Sequence, residues 1–243
     1  MSRVFLAGAA GAVGAPLTRL LVAAGHAVTG TTRAPTRADA IRRADATPVV
    51  VDVFDAAALT CAMAEARPEI VIHQLTDLPP GLDPARMAEA TIRNARLRRE
   101  GTRNLVDASI AAGARRLIAQ SIAWAYAPGP EPHREDDQLD LAATGARSVG
   151  VAAVAELERL TLRSPPLAGI VLRYGQLYGP GTGRDRAEGA CPVHVDAAAH
   201  AALLALDRGA PGAFNVAEDC AYLSSAKARR ELGWDPGFRL AER

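Results

Sequence analysis

The chain has 243 residues, of which 49% are hydrophobic and 23% are charged, and its formal net charge is +1. This length suits one large α/β domain or a large lobe with a small one. The balanced charge gives no indication of a nucleic-acid or membrane-surface partner, and the 4% aromatic content argues against a stacking platform for single strands. Cys61, Cys191 and Cys220 are far apart and odd in number, so we expect no metal site and no disulfide framework. No signal pattern and no apolar run of roughly 18 residues is present, and we expect a cytoplasmic protein.

Short apolar runs alternate with helical patterns along the chain. Strands are predicted at 4–7, 27–31, 49–53, 70–74, 117–121, 169–173 and 212–216. Helices are predicted at 15–24, 56–66, 87–112 and 149–163, with one more helical segment ending near Gly233. Apolar runs without alternation suit strands that are covered on both faces. The repeated βαβ order therefore predicts an α/β fold with a Rossmann-type, doubly wound parallel sheet.

Residues 8–14 (GAAGAVG) join the first predicted strand to the first predicted helix. Glycines in such a turn let the backbone approach a pyrophosphate, and the helix N-terminus offers it free N–H groups. The position between a strand and a helix strengthens the interpretation beyond the spacing itself. The alternative is a tight turn with a packing glycine. The predicted dinucleotide contacts in this turn are Gly8, Ala10, Gly11, Ala12, Val13 and Gly14.

The end of the second strand indicates which dinucleotide is bound. An NAD site has an acidic side chain here for the ribose hydroxyls, but this strand ends in Thr32 and Arg33, and the next acid is Asp39. Arg33, assisted by Arg37, would pair with a 2′-phosphate. We therefore expect NADP(H), with NAD as the alternative, and with a solvated loop charge as the alternative role of Arg33.

More motifs follow in order: 51–53 (VDV), 101–105 (GTRNL), 172–175 (LRYG), 178–181 (YGPG), 193–196 (VHVD) and 231–234 (ELGW). With the glycine turn, this series resembles the NAD(P)-dependent epimerase/dehydratase family, the extended branch of the short-chain dehydrogenases/reductases, over nearly the whole chain. The resemblance implies one NAD(P)-binding domain over 1–243, with a small C-terminal substrate lobe built from about 174–192 and 217–243. The substrate, often a nucleotide sugar, would lie in the cleft under that lobe.

The resemblance also assigns individual residues. Asp52 would lie beside the adenine with Val53 after it, although Asp52 could instead cap the next helix. Leu75 and Thr76 would line the ribose side. Helices 87–112 and 149–163 would form the face of a homodimer.

The catalytic pair of the family is missing. The family places a tyrosine and a lysine four residues apart on one helix, where the lysine lowers the pKa of the tyrosine that moves the proton. The only lysine here is Lys227, in the tail, and the approximately matching positions hold Val149 and Ala153. Arg98 stands three residues before Gly101, where the family often has an asparagine.

Two side chains are candidates for the missing acid. Tyr126 follows the fifth strand near the expected nicotinamide end, and its structural alternative is an aromatic residue packed against Trp124. The family has a serine or threonine four residues before such a tyrosine. That count falls on Ile122, one position from Ser121. Tyr126 and Ser121 are therefore the predicted catalytic residues.

The sequence supports two functions. The first is an NAD(P)-dependent oxidoreductase or epimerase/dehydratase-like enzyme that acts on a small carbonyl or sugar-like substrate. The second is an NADP(H)-binding protein without hydride transfer, which serves as a sensor or interaction partner. The glycine turn and Arg33 favour retained cofactor binding in both cases.

Overall fold

The computed structural model of the protein describes residues 1–241, without the side chain of Pro80. The strands are β1 (Arg3–Ala7), β2 (Ala27–Thr32), β3 (Thr47–Val50), β4 (Ile70–His73), β5 (Arg116–Ile122), β6 (Ala168–Tyr174), β7 (Gln176–Tyr178), β8 (Pro192–His194) and β9 (Gly212–Val216). The helices are α1 (Gly14–Ala23), α2 (Ala38–Arg42), α3 (Ala56–Ala66), α4 (Met87–Arg96), α5 (Thr102–Ala111), α6 (Gly145–Leu162) and α7 (Val195–Leu204). Two π-helical turns lie at Leu97–Gly101 and Ala228–Leu232. Residues 242 and 243, at the end of the predicted C-terminal lobe, lie outside the described residues.

Seven strands form one parallel sheet in the order β3-β2-β1-β4-β5-β6-β9. The chain order reverses between β1 and β4, where Ala7 pairs with His73 at the carboxyl ends of the two strands. Ligands of open α/β sheets bind in the crevice outside such a reversal point. The predicted doubly wound Rossmann-type sheet is confirmed.

The sheet is covered on both faces, as its uninterrupted apolar strands predict. Alternate side chains of β1 enter different core clusters, with Val4 and Leu6 on one face and Phe5 on the other. Leu17 of α1 packs on the first face, and Met63 of α3 packs on the second. This two-sided burial fixes β1, and with it the start of the glycine turn.

Two helices differ from the prediction in ways that shape the site. The predicted helix 87–112 is divided by the π-helical turn Leu97–Gly101. Gly101 in this turn lies so close to Val53 that an added Cβ would come within 3.1 Å of the Val53 side chain. Helix α6 starts at Gly145, four residues before the predicted start, and its first turn reaches the edge of the cavity described below.

Within residues 1–241, no helix is both long and apolar enough to span a bilayer. Over the same residues, no group of three His, Cys, Asp or Glu side chains is arranged to hold a metal ion.

Candidate functional site

The carboxyl ends of β1, β2, β4 and β5 open onto a cavity of about 1270 Å³. Most of the residues that the sequence predicts as cofactor contacts line it. They are Gly8, Ala10, Gly11, Ala12, Val13, Thr32, Arg33, Asp52, Val53, Leu75 and Thr76. The structure thus brings together predicted residues that lie at or after the ends of β1, β2, β3 and β4 and are far apart in the chain.

The three glycines of the turn have different geometric roles. Gly8 has φ +89°, and an added Cβ would come within 2.9 Å of the Gln74 carbonyl oxygen. Gly14 is not part of the cavity lining, since it packs at the start of α1, where an added Cβ would lie 2.0 Å from the Gly8 carbonyl oxygen. An added Cβ on Gly11 would meet only the Gly8 carbonyl oxygen, at 3.2 Å, and Gly11 lines the cavity. Among residues 1–241, no side chain caps the N-terminus of α1, so its free N–H groups suit a pyrophosphate.

Arg33 lies at the rim of the cavity in an ion pair with Asp77. Its Nη2 is 2.9 Å from Oδ1 of Asp77, and its side chain is 63% exposed. Burial alone would raise the pKa of Asp77, but the hydrogen bond and charge of Arg33, with those of Arg93, lower it below its usual value. The pair orients the guanidinium and leaves its other nitrogens accessible to a ligand.

The sequence left two roles open for Asp52, a cofactor contact and a helix cap, and the structure gives the helix cap to Asp55. The side chain of Asp55 caps α3 by accepting a hydrogen bond from the Ala58 N–H at 3.0 Å. Asp52 accepts from the Phe54 N–H at 2.9 Å and lines the cavity. The helix-capping role therefore belongs to Asp55.

Ser121 lies at the inner wall of the cavity in a buried polar network. Its hydroxyl donates to Oε1 of Glu158 at 2.8 Å, and Glu158 is paired with Arg173 at 2.7 Å. All three residues are about 5% exposed or less. The sequence reasoning missed Glu158, although an acidic residue between Leu157 and Leu160 on an apolar helix face was an available signal.

Tyr126 is separated from the cavity lining. Its hydroxyl donates to Oδ1 of Asn215 at 2.6 Å and accepts a hydrogen bond from Nη1 of Arg173 at 2.7 Å. Burial raises the pKa of Tyr126 to about 12. Its ring stacks on His133, with the ring centroids 4.9 Å apart, and not on Trp124 as the structural alternative expected. The structure therefore gives Tyr126 a packing role and does not bring it to the cavity with Ser121.

Helix α6 contributes Ala146, Arg147, Gly150, Val151 and Leu157 to the cavity wall. Two of these, Ala146 and Gly150, are four residues apart. Of the positions expected to replace the family's pair, Val149 is 38% exposed and Ala153 is fully buried, and neither lines the cavity. The chain's lysine, Lys227, donates to the Ala213 carbonyl of β9. The tyrosine and lysine of the family are thus missing from this wall, whether their positions are taken as Val149 and Ala153 or as Ala146 and Gly150.

Arg98 and Gln74 add polar groups to the cavity that the sequence did not assign to the site. Burial lowers the pKa of Arg98 to about 10, and the negative charge of Glu158 offsets only part of this shift. Oε1 of Gln74 is buried without a hydrogen-bond partner among the described residues, while its Nε2 donates to the Tyr174 hydroxyl at 3.2 Å. An unpaired buried acceptor in a cavity wall is typical of a ligand site.

Comparison with known proteins finds a family match over most of the chain. The sequence pattern of the NAD dependent epimerase/dehydratase family matches residues 4–234. A curated relative, 3-diazoavenalumate denitrifying reductase of a Streptomyces species, is 45% identical over 244 residues. That match covers 89% of this chain and 76% of the relative.

Solved structures share the fold at lower sequence identity. A UDP-glucose 4-epimerase of Thermotoga maritima, solved with UDP-glucose, superposes with a TM-score of 0.77 at 19% identity, covering 97% of this chain and 94% of the other. A UDP-glucose 4-epimerase of Thermus thermophilus, solved with NAD, superposes with a TM-score of 0.76 at 21% identity, covering 98% and 95%.

Proposed function

This chain belongs to the NAD dependent epimerase/dehydratase family, and we propose that it is an NADP(H)-dependent reductase that removes dinitrogen from a diazo-bearing carboxylate. The observation that carries the proposal is the cavity face of α6, which presents Ala146, Arg147, Gly150, Val151 and Leu157 and neither a tyrosine nor a lysine. The 45% identity to 3-diazoavenalumate denitrifying reductase supports the substrate class.

The two side chains that the sequence predicts as the acid are poorly suited to carbonyl reduction. Adding hydride to a carbonyl leaves a negatively charged oxygen, which needs a proton from a positioned acid. The Ser121 hydroxyl directs its proton to Glu158, and the Tyr126 hydroxyl is held by Asn215 and Arg173 away from the cavity. A substrate whose reduction consumes no proton removes this difficulty.

An aryl diazonium cation is such a substrate. A bound dinucleotide would supply hydride, which would form a C–H bond at the diazonium carbon as the C–N bond breaks and its electron pair leaves with N₂. Charge balances because hydride neutralises the diazonium cation. The residues of this chain then have to bind, orient and exclude water, and Trp124, Val151 and Leu157 give the cavity apolar wall for that purpose.

The residues at the other end of the cavity support NADP(H) as the cofactor. The turn at Gly8 and Gly11 would hold the pyrophosphate, with the uncapped N-terminus of α1 behind it. Arg33 and Arg37 line the cavity next to Thr32, where an NAD site has an acidic residue. Arginine matches the geometry of a phosphate, so this end suits a 2′-phosphate.

The test supplies the purified protein with NADPH deuterated at the reactive carbon of the nicotinamide and with the diazonium salt of para-aminobenzoate. We expect release of N₂ and a benzoate that carries deuterium where the diazo group was, at a rate above the reaction without enzyme. The Gly11→Val variant, whose side chain fills the pyrophosphate position, serves as the control and is expected to fall to the background rate. NADPH oxidation with retention of nitrogen, or turnover of carbonyl compounds at a comparable rate, would contradict the proposal.

A further inference from the structure

Arg98 is a partly buried cation without a partner in the cavity wall. It lies in the π-helical turn Leu97–Gly101 and lines the cavity. Among residues 1–241, no hydrogen bond or salt bridge engages its guanidinium. The charge of Arg98 helps to lower the pKa of His73 at the end of β4, and the charge of Glu158 on α6 raises the pKa of Arg98 itself. A charge withdrawn from water without a partner is costly, so its retention indicates a ligand.

Glu158 does not satisfy Arg98, because its oxygens are already engaged. Oε2 of Glu158 accepts from Nη2 of Arg173 at 2.7 Å. Oε1 accepts from the Ser121 hydroxyl at 2.8 Å and from Nε of Arg173 at 3.0 Å. The negative charge of Glu158 is therefore matched by Arg173, and the guanidinium of Arg98 remains available.

Arg33 and Arg147 of the cavity wall differ from Arg98 in this respect, while Arg37 and Arg184, which also line the cavity, have no side-chain partner within residues 1–241 either. Arg33 is paired with Asp77 at 2.9 Å, and Arg147 with Asp140 at 2.7 Å. Arg147 also donates to the Trp124 carbonyl at 3.1 Å, so it is committed to the loop beside α6. These two guanidinium groups have structural partners, whereas Arg98 has none within residues 1–241.

The apolar lining of the cavity defines the kind of anion that would reach Arg98. Leu105, Val151 and Leu157 line the same cavity, together with Trp124, whose side chain is large and 36% exposed. A hydrated inorganic anion gains nothing from such walls, whereas a flat apolar body that carries a carboxylate buries its ring against them and its charge at the guanidinium.

We infer that Arg98 binds the carboxylate of an aryl substrate and fixes its orientation in the cavity. This inference rests on the proposed function only in taking the cavity as the place where a small-molecule substrate binds. It adds the feature by which the site selects that substrate, namely a negatively charged group at one end of an apolar ring.

The test measures binding without any hydride step, and so it is independent of the reaction proposed above. Cinnamate and methyl cinnamate are titrated calorimetrically into protein saturated with NADP⁺. Because hydrogen bonds to charged groups are the strong ones, wild-type protein should bind the acid at least about tenfold more tightly than the ester. Arg98→Met should reduce this preference to within about twofold by weakening the acid alone, and Arg98→Lys should retain part of it.

Arg99→Met is the matched control, since Arg99 is the next residue in the same turn, is exposed and does not line the cavity. It should keep the full preference for the acid. Equal binding of acid and ester by the wild-type protein would overturn the inference without any variant. An Arg98→Met protein that loses NADP⁺ instead of the acid preference would also overturn it, because Arg98 would then belong to the cofactor site. A positive result together with failure of the diazo assay would refute the reaction and leave the carboxylate site standing.

Discussion

Replacing Arg33 by alanine should weaken NADPH binding about tenfold and leave NADH binding unchanged. A hydrogen bond to a charged group contributes about 1.5–3 kcal/mol. The Arg33 side chain is 63% exposed and already donates to Asp77 at 2.9 Å, so solvent screening and the competing carboxylate favour the lower end. A loss of about 1.5 kcal/mol corresponds to roughly a tenfold increase in Kd.

Asp77 decides how the variant is interpreted. In Arg33→Ala it keeps Arg93, 3.2 Å away, so the loop retains one of its two ion pairs. Its carboxylate is then less neutralised, and it would repel a 2′-phosphate. The Arg33→Ala/Asp77→Asn double variant removes this repulsion and should recover part of the lost NADPH affinity.

The assay is a calorimetric titration of both cofactors at low and moderate salt. Salt should weaken NADPH binding to the wild-type protein more than to Arg33→Ala, because the phosphate contact is electrostatic. An equal loss of NADPH and NADH affinity would show that Arg33 acts through the loop. No loss of either would show that it is a solvated charge, and the assignment of NADP(H) would then have lost its main support.

Three further variants test the pyrophosphate turn, the packing role of Tyr126 and the protonation state of His73. Gly11→Val should abolish the rise in melting temperature caused by NADPH while the unliganded protein stays folded, since an added Cβ meets only one atom at 3.2 Å; a variant still stabilised by NADPH would contradict the pyrophosphate assignment. Tyr126→Phe should lower the free energy of unfolding by about 1–3 kcal/mol, because Asn215 and Arg173 lose a buried partner. Its kcat/KM should be unchanged. A loss of activity at unchanged stability would instead show that Tyr126 is the acid. The third variant is His73→Asn. Burial and then the charge of Arg98 lower the pKa of His73 to about 4, so the unfolded chain binds a proton that the folded chain does not. The free energy of unfolding therefore falls as the pH drops from 6.5 toward 4. Over that window the wild-type protein should lose about 3 kcal/mol more than His73→Asn in urea denaturation, and identical pH curves would show that the histidine is not neutral in the fold.

Local sequence signals were sufficient for most of the fold. The predicted segments 56–66 and 212–216 coincide with α3 (Ala56–Ala66) and β9 (Gly212–Val216). Apolar runs that are covered on both faces have sharp ends, because glycines, prolines and charged residues follow them. The glycine turn was predicted for the same reason, since its spacing and its place between strand and helix are both local features.

Partners that are distant in the chain could not be predicted in this way. Tyr126 meets Asn215, 89 positions later, and Ser121 meets Glu158, 37 positions later. Nothing in the residues around Tyr126 distinguishes a phenol in a cleft from one held under the sheet. Only the packing of β5, β6 and α6 brings Arg173 between Glu158 and Tyr126. There it donates hydrogen bonds to both the Glu158 carboxylate and the Tyr126 hydroxyl.

The rotation of α6 was also beyond sequence reasoning. Counting from the family motif selected Val149 and Ala153, but the helix starts at Gly145 and presents Ala146 and Gly150 to the cavity. One residue of shift rotates a side chain by about 100° around the helix, so a small error of alignment moves a residue from the cavity to solvent or core. The phase is fixed by buried contacts such as that of Val154.

This geometry allows the missing pair to be rebuilt as Ala146→Tyr with Gly150→Lys. Both positions line the cavity, and an added Cβ on Gly150 meets nothing within 4 Å. Replacing a helical glycine also favours the helix by about 1 kcal/mol. The new ammonium should lower the pKa of the new phenol. The native tyrosines all have raised pKa values, so the new phenolate should appear first in an absorbance titration; they are Tyr126, Tyr174, Tyr178 and Tyr222.

The matched control places the same two residue types at Val149 and Ala153. Ala153 is fully buried, so a lysine there would bring an ammonium group into the core beside α6, and that protein should unfold at lower denaturant. Its tyrosine, on the 38% exposed position of Val149, should titrate near the ordinary phenol value. A low-pKa phenol in the control and not in Ala146→Tyr/Gly150→Lys would mean that the helix presents the other face to the cofactor. The absence of a tyrosine and a lysine from the cavity face of α6 would then no longer follow from Ala146 and Gly150, and the proposal of a proton-free reduction would fail with it.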